Sequence, residues 1–410
     1  MNGACGKRLS EGYPVAVTAN IDSPRFQLRT MLPRDPAQPH RTASPLELFF
    51  DLVFVVAVSI ASAQLHHALS EGEFLHGITS YAMLFFAIWW AWMNFTWFAT
   101  SFDTDDWLYR VTTFVQMGGV LVFAAGIPRA FNEGDFTVPV LGYVVMRVAM
   151  VAQWLRASRS AGPLRSVTRR YAFGIAAVQV LWILFLLIPT GPLQLAAFAL
   201  FALIEISVPV FAEFRRQNPW HPHHITERYG LFTLIVLGES LLASANAIID
   251  ALDKVESLGP LIAISVLTLV VTASLWWIYF WPPHHRAISS FARSLRYGYT
   301  HYFVFAAAAA FSAGIEVELD VLTGKSHLSN VAASFTVTIP IAIFLVGIWW
   351  VAIRDNADRV VNTVVPLAAV LVLLDPVLPV PVTLTALILV GVVVVLVLRP
   401  PVDSSRIEKA

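Results

Sequence analysis

The chain has 410 residues, 57% of them hydrophobic and 13% charged, with a mean hydropathy of +0.68. Soluble domains carry about 25% charged residues, so the composition excludes an ordinary soluble domain and places the chain in a lipid bilayer. The formal net charge is zero, which argues against a nucleic-acid partner, and the single cysteine, Cys5, excludes an intrachain disulfide or a cysteine-based zinc site.

Residues 1–43 are polar, with Pro33, Pro36, Pro39 and scattered arginines, and lack the apolar core of a signal peptide, so they read as a disordered cytoplasmic tail. Apolar segments long enough to span, or nearly so, follow at about 46–65, 77–100, 107–127, 138–157, 171–189, 193–213, 228–249, 260–281, 298–315, 332–353, 362–379 and 382–398. The expected fold is an all-α, polytopic transmembrane bundle of about 12 spans, closed by a short tail at 400–410. Pro376, Pro379 and Pro381 crowd the last junction, so the final two segments alternatively form one re-entrant hairpin. With the N-terminus inside, the inner loops hold Arg156, Arg159, Arg165, Arg169, Arg170, Arg215, Arg216, Arg286, Arg293, Arg296, Arg354 and Arg359, and the outer loops only Arg129, Lys254 and Lys325. That asymmetry predicts twelve spans with both termini cytoplasmic, one acidic inner loop (101–106, SFDTDD) notwithstanding.

Polar groups at bilayer depth are the strongest functional signal, because a charged side chain there costs about 2.5–3.5 kcal/mol unless paired, hydrated or used. Arg147, Glu205 and Glu239, with Gln116 and Gln179, fall near the middle of their spans and form the expected substrate or proton site, with Arg147 pairing one glutamate and leaving the other free. A second set lies toward the cytoplasmic face. Glu47 and Asp51 share one helix face at the start of the first span, and Asp103, Asp106 and Arg110 follow in the next inner loop; these five are the expected cytoplasmic gate, with Asp51 pairing Arg110. Ser44 and Glu47 also fit a helix capping box.

The histidine groups, His66-His67, His221/His223/His224 and His284-His285, lack the carboxylate or cysteine company of a closed metal site, so no metal is expected. Tryptophans such as Trp89, Trp90, Trp92 and Trp97 read as packing and interface belts, Gly118-Gly119 and Ala306–Ala310 as close-packing surfaces, and Pro340 as a kink. No phosphate loop, nucleophile elbow, zinc-protease helix or dinucleotide fingerprint is present, so an enzyme is not expected.

The chain also resembles itself. ELFFDLVFVVAVS from Glu47 matches ERYGLFTLIVLGES from Glu227; Trp89-Trp90 matches Trp276-Trp277; GGVLVFAAGI at 118–127 matches AAAAAFSAGI at 306–315; and Trp154–Arg156 matches Trp350–Arg354. The order is kept, which predicts two parallel six-span repeats, 44–217 and 218–399. ELFFDLVFV, the WWAW…TWF…FDTDD…R stretch and ERYGLFTLIVLGES together resemble the bacterial low-temperature-requirement A (LtrA) family of membrane proteins, over roughly 44–355. The resemblance implies a multi-spanning protein linked by name to growth in the cold, and carries over no catalytic residue. Repeat and midplane charges together predict a secondary transporter or permease, proton-coupled at Glu205 or Glu239, for a small molecule or ion. The alternatives are a non-transporting sensor or scaffold for cold or envelope stress and, third, an intramembrane lipid-modifying enzyme.

Overall fold

Caps written in the sequence set five of the helix starts. The computed structural model describes residues 28–39, 41–252, 259–377 and 382–402, excluding the side chains at 243, 244, 247 and 250–252. Most of the two expected tails, together with Cys5, Lys254 and the prolines at 379 and 381, lies outside the described residues. All regular structure in the described residues is helical: α1 Pro45–Ser70, α2 Phe74–Phe102, α3 Trp107–Glu133, α4 Thr137–Ser160, α5 Arg165–Phe185, α6 Pro192–Ile206, α7 Val208–Glu213, α8 Pro222–Leu252, α9 Gly259–Phe280, α10 Phe291–Leu322, α11 Asn330–Ile348, α12 Arg359–Leu374 and α13 Thr383–Leu398, with short 3₁₀ and π turns between some of them. Ser44, Asp106, Ser290, Ser329 and Asp358 each accept a hydrogen bond from the backbone N–H three residues on, which satisfies an otherwise orphaned donor at the start of α1, α3, α10, α11 and α12. Gly134, in the left-handed conformation at φ 69°, ends α3.

Ten helical stretches among the described residues are long and apolar enough to cross a membrane: α1 to α5, α6 with α7, α9, α10, α11 with the π turn Trp349–Ile353, and α12 with its terminal 3₁₀ turn. The other two expected spans fall on α8, whose 31 residues include Glu227, Arg228 and Glu239, and on α13, which has only 16. Large apolar side chains such as Phe114, Leu141, Phe173 and Leu203 point outward from mid-helix, where a bilayer would cover them. The chain is a multi-pass membrane protein. The last two apolar segments are separate helices, and Arg399 after α13 pairs with Asp358 before α12 at 2.8 Å, so the two run antiparallel.

Neighbour relations are alike in the two halves. In the first, α1 packs on α2 and α3, α3 on α4, and α4 on α5; in the second, α8 packs on α9 and α10, α10 on α11, and α11 on α12. A glycine at the same place in the matched segments explains one correspondence. At Gly126 of α3 a Cβ would overlap Pro139 of α4, and at Gly314 of α10 it would overlap the Thr336 carbonyl of α11. Of the expected Gly118-Gly119 packing pair only Gly119 approaches backbone, where a Cβ would lie 2.8 Å from the Gly142 carbonyl; Gly118 faces open space.

The arginine-bearing loops gather at one end, which also holds the described ends of the chain. Residues 28–39 and 41–43, part of the stretch expected to be disordered, form a strap over this end. Arg34 pairs with Asp103 at 3.0 Å, the Arg41 guanidinium donates to the Ala99 and Thr100 carbonyls, and Met31 is buried with its carbonyl accepting from Ser160 Oγ. Val402 N donates to Asn356 O, and Arg286 to Val402 O, at the same end.

Candidate functional site

The two matched motifs meet face to face, which the sequence did not indicate. Arg228, second residue of the ERYG motif on α8, is fully buried and grips both acids of the ELFFD motif on α1. Its Nε and Nη2 reach Asp51 at 3.1 and 2.5 Å, and its Nη1 reaches Glu47 at 2.9 Å. The i, i+4 spacing of Glu47 and Asp51 stacks them on one face, and a planar guanidinium fork spans that distance where a lysine ammonium would not. His224, one turn before Arg228, places Nε2 3.3 Å from Glu47, and Trp92 Nε1 donates to Asp51 at 2.7 Å. Glu47 also closes the expected capping box with Ser44, so cap and ion pair coexist on one carboxylate. Glu227, the counterpart of Glu47, accepts from Ala43 N just ahead of α1.

The expected gate therefore divides. Asp51 pairs with Arg228 and not with Arg110, because α8 rather than α3 packs its arginine against this face of α1; Arg110 is exposed and forks onto Asp105 at 2.8 and 2.9 Å. Asp103 is held by Arg34 of the strap, and burial together with the nearby Glu47 charge pushes its carboxyl up to about 6. Asp106 caps α3 and takes Arg156 of α4. Burial works against that carboxylate, yet the Arg156 guanidinium and the Tyr109 and Arg29 N–H groups hold it below its ordinary value.

The expected midplane set is also split. Arg147 pairs with Glu205 at 2.7 Å, and the same carboxylate accepts from Tyr143 OH at 2.7 Å and from Trp182 Nε1 at 2.7 Å. Glu239 is not part of it: it accepts from Ser59 Oγ of α1 at 2.5 Å. Matching depth on separate helices did not make these three neighbours, since α8 packs on α1 while α4 packs on α5. Gln116 and Gln179 are buried, with Gln116 Nε2 and both polar atoms of Gln179 unpartnered, and neither bonds the Arg147–Glu205 pair. The pair is enclosed by aromatic rings, with Tyr143 under the guanidinium at 5.4 Å. We expect Arg147→Leu or Glu205→Leu alone to destabilise the purified protein by about 3–5 kcal/mol, and the double exchange to recover most of that loss in thermal unfolding; a double variant as unstable as either single one would contradict a structural clasp.

One histidine expectation needs correction. His66 does have carboxylate company, Asp320 at 2.7 Å and Glu316 at 3.4 Å, and His224 has Glu47. His284, expected as a loop residue, lies half-buried in the 3₁₀ turn between α9 and α10, within a chain of contacts: Tyr297 OH to its Nδ1 at 2.9 Å, and its Nε2 to Tyr279 O at 2.6 Å. Burial lowers its imidazole to about 4, so the ring is neutral at physiological pH. Tryptophans are more than belts, since Trp92 and Trp182 each donate to a buried carboxylate.

A cavity at the arginine-rich end lies where α2, α4, α5 and α7 face α10. It encloses about 590 Å³, solvent at its mouth included, and is lined from α2, α4, α5 and α7 of the first half, the loop before α8, and α10 of the second. Among the described residues its one charged lining residue is Glu213, which no sequence feature singled out beyond its place before Arg215 and Arg216.

A family model described as bacterial low temperature requirement A protein (LtrA) matches residues 42–398. The chain belongs to the LtrA family. It is also similar to the uncharacterized protein RA0937 of Rhizobium meliloti (strain 1021), 32% identical over 264 residues, which is 60% of each chain. The chain thus spans about 60% of the length of that curated relative. The LtrA match takes in both motifs of the buried Glu47–Asp51–Arg228 cluster and the whole cavity lining.

Proposed function

We propose that this LtrA protein is a permease of the bacterial inner membrane, with twelve spans in two related halves, both termini cytoplasmic, and cargo held in the cavity between the halves. The observation that carries this reading is the cavity's lining, drawn from both halves at the end where Arg228 joins them. A site at the junction of two halves is where rocking of one against the other would expose it to either side in turn. The shared neighbour pattern and the glycines at matched positions support the two-half reading, and the arginine asymmetry supports the orientation. Arg147 and Glu205 serve in this reading as a clasp inside the first half, and the Arg228 cluster as the fixed joint.

Alternating access can be tested without knowing the cargo. In a background with Cys5→Ser, a cysteine at the cavity wall, Ser294→Cys, should react with a membrane-impermeant thiol reagent in both right-side-out and inside-out vesicles. Reaction from one side only would overturn the permease reading. It would favour instead a sensor or scaffold, for which the enclosed Arg147–Glu205 clasp is the supporting observation.

A further inference from the structure

We propose that the cavity between the halves binds an organic ammonium cation, with its charge facing Glu213. The proposal names the ligand for the cavity assigned to cargo above and rests on that assignment.

Among the described residues, Glu213 lacks the counter-charge that three other deeply buried acids have. Glu47, Asp51 and Glu205 each face an arginine, whereas Glu213, buried at the end of α7, has no Lys, Arg or His within ion-pair distance among the described residues. Its Oε1 accepts from Tyr171 OH at 2.8 Å and Asn218 Nδ2 at 3.0 Å, and its Oε2 has only the longer bond from Asn218 N at 3.3 Å. These donors orient the carboxylate and supply no positive charge. A buried carboxylate is costly to keep without a counter-charge, and a cation arriving from outside would provide one.

The rest of the wall selects the kind of cation. Trp97, Trp154, Tyr171, Trp220, Phe291 and Tyr299 line the cavity, and among the described residues no basic one does. Aromatic rings attract a cation through their quadrupoles, most strongly where water is excluded, and they favour a bulky, weakly hydrated ammonium over a small metal ion that must keep oxygen ligands. Asn218 Oδ1, buried in the same wall and without a hydrogen-bond partner, is a further acceptor for an N–H or hydroxyl of the ligand. On α10, Ser294 and Gly298 stand one turn apart, and their small size leaves the room the six rings surround. An anionic or acidic ligand would meet Glu213 with nothing to offset it.

Choline and its uncharged carbon isostere 3,3-dimethylbutan-1-ol separate charge from shape. Equilibrium dialysis of labelled choline against the full-length protein in detergent should show saturable binding that tetramethylammonium displaces. The isostere should compete about tenfold more weakly or worse, and Glu213→Gln should weaken choline by a similar factor. Ser294→Trp, which fills the cavity without touching the bonds of Glu213, should abolish binding and serves if Glu213→Gln does not fold. Absence of saturable choline binding at millimolar concentration, equal competition by the isostere, or unchanged binding in either folded variant would overturn the proposal. Binding of this kind with thiol reaction from one side only would keep the ligand class and sink the permease reading; two-sided reaction without binding would do the reverse.

Discussion

Replacing Arg228 by methionine should destabilise the protein more than any other single exchange at the junction, by about 3–5 kcal/mol, because it leaves Glu47 and Asp51 buried beside each other without a cation. The cost is that of stranded charge and not of a lost contact, so it should be reversible by removing the charges. Arg228→Met combined with Glu47→Gln and Asp51→Asn should regain most of the lost thermal stability in detergent. Arg228→Lys should fall between, since one ammonium cannot satisfy Asp51 through two bonds and Glu47 through a third. Wild-type stability in Arg228→Met would show that the three groups are hydrated rather than locked.

The second large effect is steric. Alanine at Gly126, Gly142 or Gly314 places a Cβ against backbone of the facing helix and should cost about 1–3 kcal/mol, with the helices forced apart. Gly118→Ala, one residue from Gly119 but facing open space, should be neutral or stabilising by up to about 1 kcal/mol, because glycine is the poorer helix former. Thermal unfolding of the four variants side by side decides the matter. A Gly118 variant as damaged as the Gly126 and Gly314 variants would mean that chain stiffness and not helix approach is being measured.

Much of the helical scaffold was legible because apolar length and caps are local signals. Ser44-Pro45 with Glu47 announced the start of α1, and Ser44 accepts the expected backbone bond. That Arg147 pairs with one of two deep glutamates was legible because opposite charges in a bilayer have few other ways to be satisfied; that the partner is Glu205 was not. What failed was adjacency. Glu239 and Arg147 sit at similar depth in their own helices but face different neighbours, and Asp51 and Arg110 share a boundary without sharing a contact. Arg228 was hidden by its position beside Glu227 in the polar entry of α8, where an arginine reads as ordinary loop-end charge. The missed clue was the spacing of Glu47 and Asp51, two acids stacked on one face, which calls for one cation able to reach both. Glu213 was hidden because α6 and α7 read as one apolar run, and only the folded chain shows the α2, α5 and α10 aromatics converging on it. The strap over 28–39 and 41–43 was missed because a chain rich in proline and arginine looks solvated, whereas Arg34 and Arg41 are spent on Asp103 and on carbonyls at the end of α2.

The long sequence separation within the central cluster bears on how the protein is made. Asp51 and its arginine lie 177 residues apart. At a synthesis rate of about 5–20 residues per second, α1 emerges roughly ten to thirty-five seconds before α8. For that interval the two acids have no Arg228, and their place within the first turns of α1 lets water and the lipid headgroup region carry their charge until the second half arrives. Closing the cluster is therefore a late step of assembly, and it can occur only once the first six apolar segments are made. The same bond that joins the halves in the finished protein thus also reports that the first has been made and the second begun.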